Sequence, residues 1–185
     1  MPEMKSHTFV VTVEDQPGVL TRVASLLRRR AYNIESLTAG HTDRPGVSRM
    51  TMVVLTDAAS ANRIAANLYK LVNVISVADI TNVPAVHREL AMIKVAATQD
   101  SRPDIVHLVQ VFRARIVDLT PDSMTIEITG TEDKIDGLVE MLRPYGVLEM
   151  ARTGRVTMAR GVRTAAARDL PARDDESPAD LSDSV

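Results

Sequence analysis

Asp15-Gln16-Pro17-Gly18-Val19-Leu20 is the punctuation between two different periodicities. Before it, His7 to Glu14 alternates, with Phe9, Val11 and Val13 on one face, which is the period-2 pattern of a half-buried strand. After it, Val19, Leu20, Val23, Ala24, Leu26 and Leu27 recur at helical spacing, while Arg22, Arg28 and Arg29 fall on or near the opposite face. The hexapeptide is therefore a strand-to-helix turn. Pro17 presets φ for the first position of a turn or helix, and Gly18, lacking Cβ, lets a ligand approach the backbone.

Outward from this turn, Tyr32 to Thr42 and Val47 to Thr56 read as two strands joined by the loop Asp43-Arg44-Pro45-Gly46. A helix follows over Ala58 to Leu71 with Ile64, Ala65, Leu68 and Leu71 inward, then a strand over Val74 to Thr81. The order is βαββαβ. After the connector Asn82-Val83-Pro84-Ala85 it returns: a strand over Leu90 to Ala97, then a helix over Pro103 to Phe112 with Ile105, Val106, Val109 and Phe112 inward. Ala114 to Leu119 and Met124 to Thr129 follow as strands, Thr131 is placed to N-cap a helix carrying Ile135, Leu138, Val139 and Leu142, and a last strand starts at Val147.

The expected fold class is α+β, with two tandem ferredoxin-like βαββαβ units over residues 1–82 and 83–161. In each, two helices cover one face of a four-stranded antiparallel sheet. The other face or edge is expected to be shielded by another copy of the chain, making at least a dimer. Residues 162–185 lose apolar periodicity and turn acidic and proline-containing, the composition of a disordered tail.

Several function classes are disfavoured. An apolar content of 45% suits a globular protein, and a net charge of −2 provides no basic face for nucleic acid. The five phenylalanines and tyrosines, Phe9, Tyr32, Tyr69, Phe112 and Tyr145, form no base-stacking motif. Cysteine is absent, and His7, His41, His87 and His107 stand apart without metal-ligand spacing. Neither G-x-x-x-x-G-K-[ST] nor G-x-G-x-x-G occurs. With no secretory signal and no membrane-length apolar run apparent, the expected location is the cytoplasm.

What the turn offers is recognition. The first N–H groups of a helix lack intrahelical partners and sit at the positive end of its dipole, so they suit a carboxylate. Asp15 and Asn33, if they face the same cavity, offer acceptors for an ammonium group, and an α-amino acid carries both charges on one carbon. The same residues equally fit a plain βα turn in which Asp15 caps the helix.

Asp15-x-Pro17-Gly18-Val19-Leu20 after a strand resembles the ligand turn of ACT domains. Tyr32-Asn33-Ile34-Glu35-Ser36-Leu37-Thr38, with Thr42-Asp43-x-Pro45 and Ser48-Arg49-Met50-Thr51, resembles the small regulatory subunits of acetolactate synthase, also called acetohydroxyacid synthase. Lys70-Leu71-Val72-x-Val74 and Arg152-Thr153-Gly154-Arg155-Val156-x-Met158-x-Arg160-Gly161 extend the likeness through the second unit, to cover about Thr8 to Gly161. The resemblance implies an N-terminal ACT domain, a C-terminal ACT-like domain and no catalysis or cofactor in this chain. It implies a large catalytic subunit as partner, using thiamine diphosphate, Mg²⁺ and FAD, and a homodimer through the ACT domains.

Feedback inhibition by valine or another branched-chain amino acid is likewise implied, with effector-binding residues Asp15, Pro17, Gly18, Val19, Leu20, Asn33 and Ile34. In such subunits Gly18 corresponds to the backbone contact to the carboxylate and Asn33 to a polar contact from the partner protomer. Asp15 occupies a position that can be Asn in relatives. The second unit lacks the turn motif and is expected to be structural or partner-facing. The alternative is a stand-alone amino-acid-sensing ACT protein that regulates another enzyme or a transcription factor.

Overall fold

The computed structural model describes residues 3–161; the tail assignment at 162–185 lies outside them. In chain order the elements are β1 (Lys5–Glu14), α1 (Val19–Arg29), β2 (Ile34–His41), β3 (Val47–Thr56), α2 (Ala58–Tyr69) and β4 (Val74–Asp79). Then come β5 (Ala85–Ala96), α3 (Arg102–Val111), β6 (Arg115–Leu119), β7 (Ser123–Gly130), α4 (Glu132–Leu142), β8 (Val147–Arg152) and β9 (Val156–Ala159). The first sheet has the order β2-β3-β1-β4 and the second β6-β7-β5-β8, with β9 paired to β5 and every pairing antiparallel. Two tandem ferredoxin-like units are thus present, as the periodicities require.

Alternation builds each core. Phe9, Val11 and Val13 of β1 and Met50, Met52 and Val54 of β3 face inward, where Val23 and Leu27 of α1 and Ile64 and Leu68 of α2 close over them. The second core repeats this with Ile93 and Val95 of β5, Ile126 and Ile128 of β7, Ile105 and Val109 of α3, and Ile135, Leu138 and Leu142 of α4. One residue departs from the predicted α1 stripe: Leu20 is 45% exposed, because the helix begins only at Val19 and this position projects from its first turn.

Three features differ from the sequence reading. β5 begins at Ala85 rather than Leu90, since its first four residues, Ala85 to Arg88, pair with β9. The last strand is two strands, broken at Gly154, whose φ of +81° ends the run of β8. The open face of the first sheet is covered by the same chain and needs no second copy there. Thr8, Val10, Thr51 and Val53 point away from the helices yet are at most 3% exposed, because the segment from Thr153 to Thr157 crosses that face. Arg49 Nη2 donates to the Thr157 carbonyl at 2.7 Å, Arg155 Nη1 reaches Thr8 Oγ1 at 3.5 Å, and burial lowers the Arg49 guanidinium from its ordinary pKa. The outer edge of β2 remains unpaired among the described residues.

Both units end their first helix alike. Tyr32 N donates to the Leu27 carbonyl and Ala31 N to that of Arg28, while Ala114 N and Arg113 N make the same pair of bonds to Val109 and Gln110. These Schellman closures force Ala31 to φ +56° and Arg113 to φ +51°, a left-handed conformation that glycine adopts without penalty. Ala31→Gly is expected to stabilise the chain by about 0.5–1 kcal/mol, the strain relieved outweighing glycine's greater unfolded-state entropy. Urea unfolding of the two chains checks it.

Candidate functional site

The turn after β1 is held from both sides. Glu14 N donates to the Asn73 carbonyl at 2.9 Å, Asn73 Nδ2 to Glu14 Oε2 at 2.8 Å, and Asp15 N to the Gly46 carbonyl at 2.8 Å. Arg22 Nη1 of α1 also donates to Asn73 Oδ1 at 2.5 Å, so one asparagine before β4 ties the end of β1 to α1 across the turn. Asn73 escaped the sequence reading: it lies 59 residues from Glu14, outside any local pattern.

Gly18 is the N-cap of α1, at φ 83° and ψ −5°, with no side-chain cap. Asp15 therefore does not cap the helix. Its carboxylate instead lies 3.3 Å from His41 Nδ1 at the far end of β2. Val19 N turns back to the Gln16 carbonyl at 3.3 Å, but the N–H groups of Gly18, Leu20 and Thr21 meet no acceptor among the described residues. No acidic residue occupies the first turn, so nothing in α1 neutralises the positive end of its dipole. A Cβ built on Gly18 meets nothing within 4 Å. The arrangement can accept an anion from solvent, with a carboxylate alongside.

The other predicted residues are distributed unevenly. Pro17 is exposed beside Gly18. Val19 is 4% exposed and packs in the first core, so it has only backbone to offer. Leu20 presents its side chain to solvent next to the free N–H groups. Ile34 is half-buried against the first core and Asn33 is exposed.

Asn33 and Gly18 of one chain do not share a cavity. Ile34 pairs with Val54, which pairs with His7, so Asn33 stands level with the beginning of β1. Gly18 follows the end of β1. The six-residue interval from His7 to Val13 spans about 20 Å at strand rise, far more than one amino acid can bridge. At the Gly18 end, His41 pairs with Ser48 and Ser48 with Val13, so that end of β2 is the one beside the turn.

Two cavities lie away from this turn, the first between the units and the second within the second unit. One of about 400 Å³ is lined by Glu35, Ser36 and Leu37 of β2 and by Glu89, Glu132, Arg152, Thr153 and Gly154; another of about 280 Å³ adjoins His87, Thr131 and Arg155. Neither touches the Asp15–Leu20 turn. Around them Arg152 pairs with Glu89 and, at 2.7 Å, with Asp136, and Arg155 pairs with Glu132 at 2.6 Å. Among the described residues no group of three or more His, Cys, Asp or Glu could hold a metal ion, and no helix is long and apolar enough to cross a membrane.

His87 accepts or donates at Thr157 Oγ1 across the β5–β9 pair at 3.0 Å. Burial, then the charges of Arg155 and Arg88, hold its imidazole below the ordinary range. A folded pKa below the unfolded one means that the unfolded chain takes up the proton first as pH falls. Stability is full above about pH 6.5 and declines as pH drops from there toward the folded pKa. His87→Gln is expected to flatten that decline, read as the change in Tm between pH 7.5 and pH 5.5 in parent and variant.

The model of the small subunit of acetolactate synthase matches residues 88–161, and that of the acetohydroxyacid synthase small-subunit-like ACT domain matches residues 9–76. A probable acetolactate synthase small subunit of Archaeoglobus fulgidus is 50% identical over 155 residues, covering 84% of this chain and 97% of that relative. The acetolactate synthase small subunit of Mycobacterium bovis is 45% identical, covering 86% of this chain and 95% of its own. The crystal structure of the acetolactate synthase small subunit from Thermotoga maritima superposes with a TM-score of 0.80 at 38% identity, over 85% of this chain and 98% of that one.

Proposed function

The chain belongs to the family of acetolactate synthase small subunits, and on that premise we propose that it is a regulatory subunit, activating a separate large catalytic subunit and relaying feedback inhibition by valine. The large subunit supplies the chemistry with its thiamine diphosphate, Mg²⁺ and FAD; this chain supplies recognition and coupling.

The observation that carries the reading is the uncapped start of α1 beside an unpaired sheet edge. The free N–H groups of Gly18, Leu20 and Thr21 receive the amino-acid carboxylate, and Asp15 faces its ammonium. Leu20 gives the branched side chain apolar contact. Asn33 stands at the wrong end of its own protomer, and a second copy resolves this. When two β2 edges pair antiparallel about a two-fold axis, the start of one strand lies beside the end of the other. Asn33 and Ile34 of the partner subunit then reach the Gly18 turn, and the dimer contains two equivalent sites. The first unit, residues 1–82, holds the effector, while the second, residues 83–161, faces the catalytic partner.

Co-expression with the large subunit of the same organism tests the assignment. Co-purification and a rise in acetolactate formation support it; a chain that binds valine but neither binds nor activates that subunit would be a stand-alone sensor.

A further inference from the structure

The ends of β2 border the effector site and its middle carries a second contact. We propose that this contact, a seam between Ser36 and Thr38 of β2 and the turn Thr153-Gly154-Arg155, transmits effector occupancy from the first unit to the second. The inference rests on the effector reading above and deepens it by naming the joint.

The seam is a strip of directional contacts with little slack. Arg155 N donates to Ser36 Oγ at 2.9 Å, and Thr38 Oγ1 donates to the Thr153 carbonyl at 3.1 Å. Between them Gly154, at φ +81°, comes so close that a Cβ would stand 2.5 Å from Ser36 Oγ and 3.4 Å from Thr38 Oγ1. Only glycine satisfies both the backbone conformation and that approach. Beside the seam lies the cleft of about 400 Å³, and past the seam the same segment packs over Thr8, Val10, Thr51 and Val53 of the first sheet.

From the seam the contacts run into the second unit. Thr153 N donates to the Leu90 carbonyl at 3.0 Å, and Thr153 Oγ1 accepts from Leu90 N at 3.1 Å, fixing the turn to β5. Arg155 Nη2 donates to Glu132 Oε2 at 2.6 Å, and Arg152 Nη1 to Asp136 Oδ1 at 2.7 Å, fixing it to α4. A displacement of β2 as an effector closes between two strand edges is therefore passed to β5 and α4 through hydrogen-bonded, incompressible contacts. The coupling requires that β2 sit differently in the two states, which is what the experiment reads.

Two measurements on the full chain separate this inference from the reading beneath it. Calorimetry with valine asks whether the effector binds, and amide hydrogen exchange over residues 153–158 asks whether the seam responds. Valine is expected to change exchange in that segment several-fold in the parent. In the Ser36→Ala, Thr38→Val double variant, which adds no bulk, valine binds within about three-fold of the parent, the exchange response disappears, and the valine concentration for half-inhibition of the assembled enzyme rises at least about ten-fold. Gly154→Ala, which wedges the seam apart, gives the same uncoupling from the opposite direction. Parent chain that binds valine with no exchange response, or a double variant with parental inhibition, overturns the seam. Parent chain that does not bind valine overturns the effector reading instead.

Discussion

Gly18→Asp is expected to weaken valine binding at least about a hundred-fold, roughly 2.7 kcal/mol, while activation of the catalytic subunit survives. Collapse of the turn is not the cause. The Cβ position at Gly18 is open, and aspartate is among the residues that tolerate a left-handed φ of 83°, at a cost of about 1–2 kcal/mol. The new carboxylate sits beside the N–H groups of Leu20 and Thr21 and takes them for itself. It also places a fixed negative charge where the effector's own carboxylate must go, against the one favourable field that α1 provides. Gly18→Ala is the control: it bears the backbone strain without the charge and loses far less affinity. Calorimetric titration of the three chains reads the difference. Parental affinity in Gly18→Asp would place the effector elsewhere.

Arg152→Ala is expected to cost about 3–5 kcal/mol of folding stability, because it strands a buried carboxylate. Glu89 is 6% exposed and faces the Arg152 Nε. Burial by itself would lower the Arg152 guanidinium, but hydrogen bonds to Asp136 and Glu89 and the charges of both outweigh it and hold the group above its ordinary value. Asp136 is 56% exposed and contributes little, so the loss is concentrated on Glu89. Among the described residues Arg152 Nη2 meets no hydrogen-bond acceptor although it is buried, which marks the network as costly to maintain even in the parent. The Glu89→Leu, Arg152→Met double variant therefore recovers most of the loss, since it removes both buried charges together. Urea unfolding measures each; a loss below about 1 kcal/mol in Arg152→Ala would mean that water reaches Glu89 and the pair behaves as a surface one.

The local layers of this molecule were legible in its residues. The switch from period 2 to helical spacing at Asp15–Leu20 places β1 and α1, and the repetition of that pattern after Pro84 places the second unit. Long-range features were not legible. β9 pairs with β5 across 70 residues between His87 and Thr157, and the extension of β5 to Ala85 exists only because of that pairing. The covered face of the first sheet has the same origin: Thr8 and Val10 alternate like solvent-facing positions and are buried only because Thr153 to Thr157 folds back on them.

The site divides in the same way. Gly18 declares itself through the turn, and its left-handed φ gives the physical reason for the glycine. Asn73, which braces Glu14 and Arg22, and His41, which meets Asp15, are brought in by β-sheet register and could not be found by spacing. The distance between Asn33 and Gly18 was hidden as well, because 14 intervening residues on paper say nothing about which end of a sheet each occupies.

The central claim is that effector binding and engagement of the catalytic subunit are linked, and linkage is reciprocal. The decisive measurement is the valine affinity of this chain alone and in the presence of saturating large subunit. The account predicts that the two dissociation constants differ by at least about five-fold, the lower end of typical coupling between sites. Equal affinities with and without the catalytic subunit would contradict it.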